Sequence, residues 1–458
     1  MDRRLSGSTW ICVALLAFPF PARAVPSFAR QTGMPCATCH TTFPQLTPFG
    51  RLFKVNGYTM SSGQSRLPPL AAMAQPSFTH TAKDQEPKAA PGFDENNNVA
   101  LTQASLFYAG RLFGPYAETL FGPELGSWAN HVGTFIQGTY DGVGHDFAWD
   151  NSEIRVAGNT TAFGKPLVFG GYVNNNPTLQ DLWNTTPAWS FPFSSSGLAP
   201  TPAAAPLIAG GVSQQVLGTG AYAMLADLLY LEVGGYSTLS ASTQKSLGVD
   251  PEGETEIDGL APYWRVAAEH NWGVHNLEIG TYGLAARTFP GRDSSEGRDR
   301  LTDVGLDAQY QYLSARNDVT VLLNAIHEGQ DWRHASQPLG LASHGFDNLW
   351  TGSATVQYLF DKTYGADVQY FATWGDGDPL LYSDSRKGSP DSAGWLFELD
   401  YLPLNRRGGP KFWPMSNAKL SLQYIHYTRF DGSSTNHDGE GRNASDEDTL
   451  YLELWLAF

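Results

Sequence analysis

The chain has 458 residues, 41% of them hydrophobic and only 16% charged, with 48 glycines and 13% aromatic residues. That length could hold two or three ordinary domains, but no strong helical periodicity runs anywhere along it. The formal net charge of −16 argues against a nucleic-acid partner, and suits an exported protein whose acidic loops attract cations or simply keep its surface soluble.

Residues 1–24 read as a secretory signal. Arg3 and Arg4 form a positive start, Ile11 to Phe20 an apolar stretch, and Ala22-Arg23-Ala24 a small-residue cleavage site. Cys12 is removed with this segment. The apolar stretch is too short to span a bilayer, and no later stretch reaches the ~18 apolar residues of a transmembrane helix. Cleavage takes away three arginines and one aspartate, so the mature chain carries −18.

Residues 25–68 form a small unit around Cys36-Ala37-Thr38-Cys39-His40. C-x-x-C-H is the spacing of covalent haem c: two thiols form thioethers and the next histidine is the proximal iron ligand. Zinc would need further Cys or His ligands close by, and none follow. A disulfide with a chance histidine behind it is the other reading. Some forty residues can hardly bury a core of their own; an apolar haem ring and a seat inside a barrel lumen would both make up the deficit.

From residue 69 to 458 the chain becomes a series of alternating segments. Leu450, Leu452, Leu454, Leu456 and Phe458 share one face, opposite Thr449, Tyr451, Glu453, Trp455 and Ala457. Asp303 to Tyr312 and Tyr364 to Ala372 repeat the pattern. Strands are expected near 70–82, 98–110, 130–140, 151–158, 165–174, 217–226, 228–237 and 262–271. The second half continues near 275–288, 302–312, 317–329, 348–360, 363–375, 393–404, 417–429 and 448–458. A soluble sandwich alternates similarly, but sixteen is an even number, and the connections mostly alternate tight and long, as in transmembrane barrels with the long set outside. Connections 111–129 and 405–416 fit this poorly. Connection 175–216, with Trp183, Trp189, Phe191 and Phe193, is expected to fold into the lumen, because such aromatics are unfavourable in water. The expected fold is therefore all-β: an outer-membrane barrel of about sixteen antiparallel strands with a small amino-terminal haem plug.

Val25 to Gly33, Cys36 to His40, Phe43-Pro44-Gln45-Leu46-Thr47-Pro48-Phe49-Gly50-Arg51, Phe53-Lys54 and Gly57-Tyr58-Thr59 together resemble the fused outer-membrane monohaem cytochrome–porin family of iron-oxidising bacteria. Asn176 to Thr185 is similar to members of that family as well. The resemblance implies one covalent haem c held by Cys36, Cys39 and His40. It also implies Fe(II) as extracellular electron donor, and a periplasmic c-type cytochrome or copper protein as acceptor. The implied location is the bacterial outer membrane, with the amino terminus periplasmic or in the lumen.

The matched motif ends before any sixth iron ligand; Met60, Met73 and His80 are the candidates, Met60 foremost, since Met34 is too close in sequence to reach the opposite haem face. Two acidic loops could concentrate cations, one through Asp250, Glu252, Glu254, Glu256 and Asp258, the other through Asp431, Asp438 and Glu440, although plain solvated charge is the simpler reading of both. The chemistry that the resemblance implies is outer-sphere electron transfer from Fe(II), which needs no general base or nucleophile, and no convincing Ser-His-Asp or metalloprotease motif is found. A transport porin with a structural or redox-sensing plug is the alternative, as is outward electron transfer.

Overall fold

The computed structural model describes residues 27–63, 65, 67–249, 255–405 and 416–458; the export segment lies outside them. Among the described residues sixteen long antiparallel strands form one sheet. They are β1 (Leu70–Thr81), β2 (Asn98–Arg111), β3 (Val132–Asp141), β4 (Asp146–Ala162), β5 (Lys165–Asn174), β6 (Val216–Leu225), β7 (Leu229–Thr238) and β8 (Ala261–Trp272). The rest are β9 (His275–Phe289), β10 (Asp299–Leu313), β11 (Asn317–Asp331), β12 (Phe346–Phe360), β13 (Tyr364–Gly375), β14 (Ser392–Tyr401), β15 (Asn417–Arg429) and β16 (Thr449–Ala457). Each pairs with the next, and β16 returns to β1 from Met73–Ala457 to Thr81–Thr449, which closes the sheet into a barrel. A two-residue strand, Glu256–Ile257, adds to the rim of β9.

Strand after strand, the alternation resolves into two surfaces. On β10, Val304 and Leu306 lie on the exterior while Asp303, Asp307, Gln309 and Gln311 are buried in the lumen. On β16, Leu452 and Leu454 face out and Tyr451 and Glu453 face in. An apolar outside and a polar inside are the inverse of a soluble protein, and closure removes the edges a sandwich would keep. This is the build of a transmembrane barrel, whose crossing elements are its strands; no described helix is long and apolar enough to cross a membrane.

All sixteen expected strands are present, β5 and β15 with the expected ends. β4 extends well beyond the expected 151–158, because a register shift between Ile136 and Gly138 of β3 carries the pairing through Asp150 and Asn151, where the alternation breaks. Turns at 163–164, 226–228, 273–274, 314–316 and 361–363 lie on one end; seven longer connections and the four-residue turn 142–145 lie on the other. The ill-fitting connection after β2 is a helix, α4 (Ala117–Ala129), on the short-turn end. Residues 406–415 of the second such connection lie outside the described ones.

Two segments fill the lumen. The connection between β5 and β6 folds inward, as expected: Leu179, Leu182 and Trp183 are almost wholly buried. It crosses to the far wall, where Ser194 Oγ donates to Glu453 (2.6 Å), and the Leu207 and Ile208 N–H groups donate to Glu328 (2.6 Å) and Asp303 (2.8 Å). Below it, on the short-turn side, sits the amino-terminal unit of three short helices, α1 (Ser27–Thr32), α2 (Cys36–Cys39) and α3 (Pro48–Val55).

Leu306 lies midway along β10 on the exterior. Leu306→Arg is expected to destabilise the barrel by about 2–4 kcal/mol, measured by denaturant titration of protein folded into lipid vesicles; a variant as stable as the parent would place that face out of lipid.

Candidate cofactor site

One turn of helix carries the cysteines. α2 spans Cys36 to Cys39, and a separation of three puts both sulfurs on one face. Immediately after it, His40 turns into extended backbone, and a tight hairpin brings Leu46 back beside it. Thr41 N–H donates to Gln45 O (3.1 Å), Thr47 N–H to Cys39 O (2.9 Å), and Thr47 Oγ1 to Thr38 O (2.6 Å). The Thr47 hydroxyl also accepts Gly50 N–H (3.2 Å), capping α3. α3 packs directly on the cysteine turn, since a Cβ at Gly50 would lie 2.3 Å from Cys39 O. Only glycine fits there.

The His40 ring is oriented by this hairpin. Its Nδ1 lies 3.1 Å from Pro44 O, and a carbonyl only accepts, so Nδ1 carries the proton and Nε2 keeps its lone pair. Burial lowers the imidazole to about 4, so it is neutral at ordinary pH. Burial likewise raises both thiols, Cys39 to about 12. The two sulfurs are not joined in a disulfide. A neutral imidazole held through Nδ1 is the form that ligates a metal through Nε2.

The three side chains face a cavity of about 520 Å³, within the usual size of a cofactor site. Three distant parts of the chain bound it. The plug contributes Phe28, Met34 and Phe53; the wall contributes Met73, Phe107, Phe135 and Trp455; the inward loop contributes Trp189 and Phe193. The lining is mostly apolar and aromatic. Phe28 stacks on Tyr58 at 5.4 Å and meets Phe53 edge-on at 4.9 Å, forming the plug's small core. Among the described residues, His40 is the sole histidine lining the cavity, and Met34 and Met73 are its methionines.

Met60 does not line the cavity. Its carbonyl accepts a hydrogen bond from Gln31 Nε2 (2.9 Å), on a segment tied back to α1. His80 stands on the exterior face of β1, with Nδ1 2.9 Å from Asn97 Oδ1. Met73 is inward-facing and buried; Met34, set aside from sequence, lines the cavity too. Alternation on β1 already separates odd, inward positions from even, outward ones, and reading it would have removed His80.

The acidic loops are less available than their composition suggests. Asp250, Glu252 and Glu254 lie outside the described residues. Asp258 is held by Arg298 (2.7 Å) and Arg287 (3.6 Å), and Glu256 by Arg292 (3.3 Å). Asp431 is buried against Ala203 N (3.3 Å) and Ser392 Oγ (3.4 Å), and Asp438 accepts three backbone N–H groups. Glu440 is the one of these that is exposed.

Sequence reading did not anticipate the charged girdle that seats the plug. Arg51 donates to Gln309 (2.8 Å) and Gln311 (2.9 Å) and pairs with Glu269 (3.3 Å). Lys54 Nζ donates to the carbonyls of Leu179 (2.8 Å) and Asp181 (2.6 Å). Tyr58 Oη donates to Glu153 (2.9 Å), itself paired with Arg155 (2.6 Å). The segment Asn176 to Thr185 is therefore the inner ledge on which the plug rests.

No family model matches the sequence, and no curated protein sequence matches it. Among solved structures, an anion-selective porin from Comamonas acidovorans is 13% identical, with 85% of this chain and 99% of that one covered and a TM-score of 0.44. The outer membrane channel DcaP of Acinetobacter baumannii is 11% identical over 85% and 96% (TM-score 0.44), and OmpT of Vibrio cholerae 9% over 85% and 97% (TM-score 0.39). The class of the chain, a closed sixteen-stranded barrel of porin-like build with a plugged polar lumen, rests on the strand pairing above.

Lys54→Met leaves the buried Asp181 carbonyl without a donor, at a cost of roughly 1–3 kcal/mol, and leaves the Leu179 carbonyl held by the Trp189 indole N–H alone (2.6 Å). Amide exchange across residues 176–186 is expected to quicken at least tenfold while the β10 and β11 amides keep their rates. Unchanged exchange would mean that Lys54 does not hold the ledge.

Proposed function

We propose that this chain is an outer-membrane monohaem cytochrome with a porin-like barrel, which takes one electron at a time from extracellular Fe(II) and passes it to a periplasmic c-type cytochrome or copper protein. The observation that carries the reading is the C-x-x-C-H turn facing an apolar cavity inside a membrane barrel, with His40 neutral and held through Nδ1. Bound there, a single covalent haem c supplies reversible one-electron chemistry. Cys36 and Cys39 would hold it by thioether bonds, and His40 Nε2 would ligate its iron.

The other residues set the environment. Phe28, Phe53, Phe107, Phe135 and Trp455 exclude water, and burial of this kind tunes a redox centre. Met73, inward-facing on β1 and lining the same cavity, is the sixth-ligand candidate of this reading; a methionine there raises the potential relative to a second histidine. Trp189 and Phe193 roof the cavity toward the long loops, so a hydrated cation is kept off the site and gives up its electron from outside. By the usual orientation of such barrels the long loops face the exterior and the short turns, with the plug, face the periplasm. Fe(II) as donor rests on the family resemblance of residues 25–59. No general base or nucleophile is needed.

A transport channel is the second reading, favoured by the polar, charged lumen wall. Stopped-flow mixing of oxidised protein with anaerobic Fe(II) separates the two: fast growth of reduced c-haem absorbance is expected. Reduction by dithionite but not by Fe(II) would overturn Fe(II) as donor. Stable haem-free barrels that conduct ions would favour the channel.

Cys36→Ala and His40→Ala are each expected to abolish covalent haem or its normal spectrum; retention of both would remove the basis of this reading. Met73→Ala is expected to lower the midpoint potential or give a high-spin spectrum, with Met60→Ala unchanged. The reverse outcome would return the ligand to Met60.

A further inference from the structure

We propose a second binding site in the lumen, separate from the cysteine turn and independent of the haem reading: a divalent-cation site with all-oxygen ligands, formed by Asp367 on β13 and Glu398 and Asp400 on β14. One ligand oxygen from each of the three lies within 4.8 Å of the others, and the residues are only 2%, 4% and 5% exposed. Their convergence is fixed by register. Gln357, Asp367, Glu398 and Gln423 stand side by side across four strands, and Asp400 stands between Gly365 and Ser421 in a neighbouring row. A Cβ at Gly365 would come 2.8 Å from Asp400 Cβ and 3.3 Å from its Oδ2, so glycine keeps room for that carboxylate.

Clustered acids alone would not define a site; the acceptor surplus around them does. Ser421 Oγ donates to Asp400 Oδ1 (2.5 Å), Gln357 Nε2 to Asp367 Oδ2 (3.2 Å) and Gln423 Nε2 to Glu398 Oε2 (2.8 Å). With those donors spent, four buried oxygens have no hydrogen-bond partner: Asp367 Oδ1, Asp400 Oδ2, and the amide oxygens of Gln357 and Gln423. Both glutamines are nine-tenths buried or more, and their amides abut the carboxylates. Lys419 lies 3.6 Å from Glu398 and 3.8 Å from Asp400, beyond hydrogen-bond range. It offsets one charge of three and leaves the unpartnered oxygens untouched.

A hard cation satisfies several oxygens at once, and a set of carboxylate and amide oxygens without nitrogen or sulfur suits Ca²⁺, Mg²⁺ or Mn²⁺. The other cluster of this kind, His344, Asp347 and Asp378 at the long-loop rim, differs. Both oxygens of Asp378 are already taken by four backbone N–H groups. The lumenal site also adjoins the cofactor cavity, because Lys419 Nζ sits 5.3 Å from the ring of Trp455, which lines it.

Mn²⁺ is the probe. Chelator-treated full-length protein in detergent is titrated with Mn²⁺, and the free ion is followed by electron paramagnetic resonance. One Mn²⁺ per chain is expected, with affinity at least tenfold weaker in the double variant Asp367→Asn/Asp400→Asn and several-fold tighter in Lys419→Gln, which removes the competing ammonium. Binding equal in the parent and double variant would overturn the site. So would loss of binding in Lys419→Gln, which would make the cluster a structural ion pair. Should the double variant not fold, Gly365→Ala keeps every carboxylate but crowds Asp400, and the same tenfold weakening is required of it.

Discussion

In hydrocarbon a backbone N–H or C=O without a partner costs several kcal/mol, and the rest of this structure follows from meeting that demand. Sixteen strands satisfy one another only because β16 pairs back with β1. Closure then fixes where everything else goes. With period-two side chains, turning Leu306 and Leu454 toward lipid turns Asp307 and Glu453 into the lumen. The same alternation that makes the outside greasy makes the inside charged, and a charged interior needs partners.

The plug and the inward loop are those partners. Arg265 on β8 lies within 3.4 Å of Asp181 from the loop and of Glu278 and Asp307 from the wall, all fully buried. Buried pairs of this kind gain little over apolar packing, but breaking one strands a charge at a cost of several kcal/mol. They therefore act less as a source of stability than as a register. Loop and plug have one position in which Arg51, Lys54, Arg155 and Arg265 are all matched, and that position brings Trp189 and Phe193 over the cysteine turn.

Legibility in the sequence tracked the range of the interaction. Strand positions are local, so Leu450 to Phe458 declares its two faces without any neighbour, and fifteen of the sixteen strands follow directly. β4 escaped because its start lies beyond a bulge at Asp150 and Asn151, opposite Gln137 of β3, and its far end is set by pairing with β5. The cysteine turn was equally local, as Cys36, Cys39 and His40 are contiguous. The sixth-ligand question and the charged girdle were opaque for the opposite reason: Met73 enters the cavity, and Arg51 meets Gln309, across separations that only the closed barrel sets. The acidic loops misled by composition, because the arginines that hold Asp258 come from strands and turns farther along the chain.

The cavity itself is the most non-local object in the molecule. Its lining runs from Phe28 near one end of the chain to Ala457 at the other, and Met73 and Ala457 are register partners at the very seam that closes the barrel. The cavity is thus completed only once β1 and β16 have met and the plug has docked. A group that fills it binds the closed state and not the open one, and so stabilises closure by its own binding free energy. A haem held at Cys36 and Cys39, as proposed, would make that coupling intramolecular: plug docking and cofactor packing would become one event, and a forty-residue unit too small for its own core would take it from the ring and from the wall together.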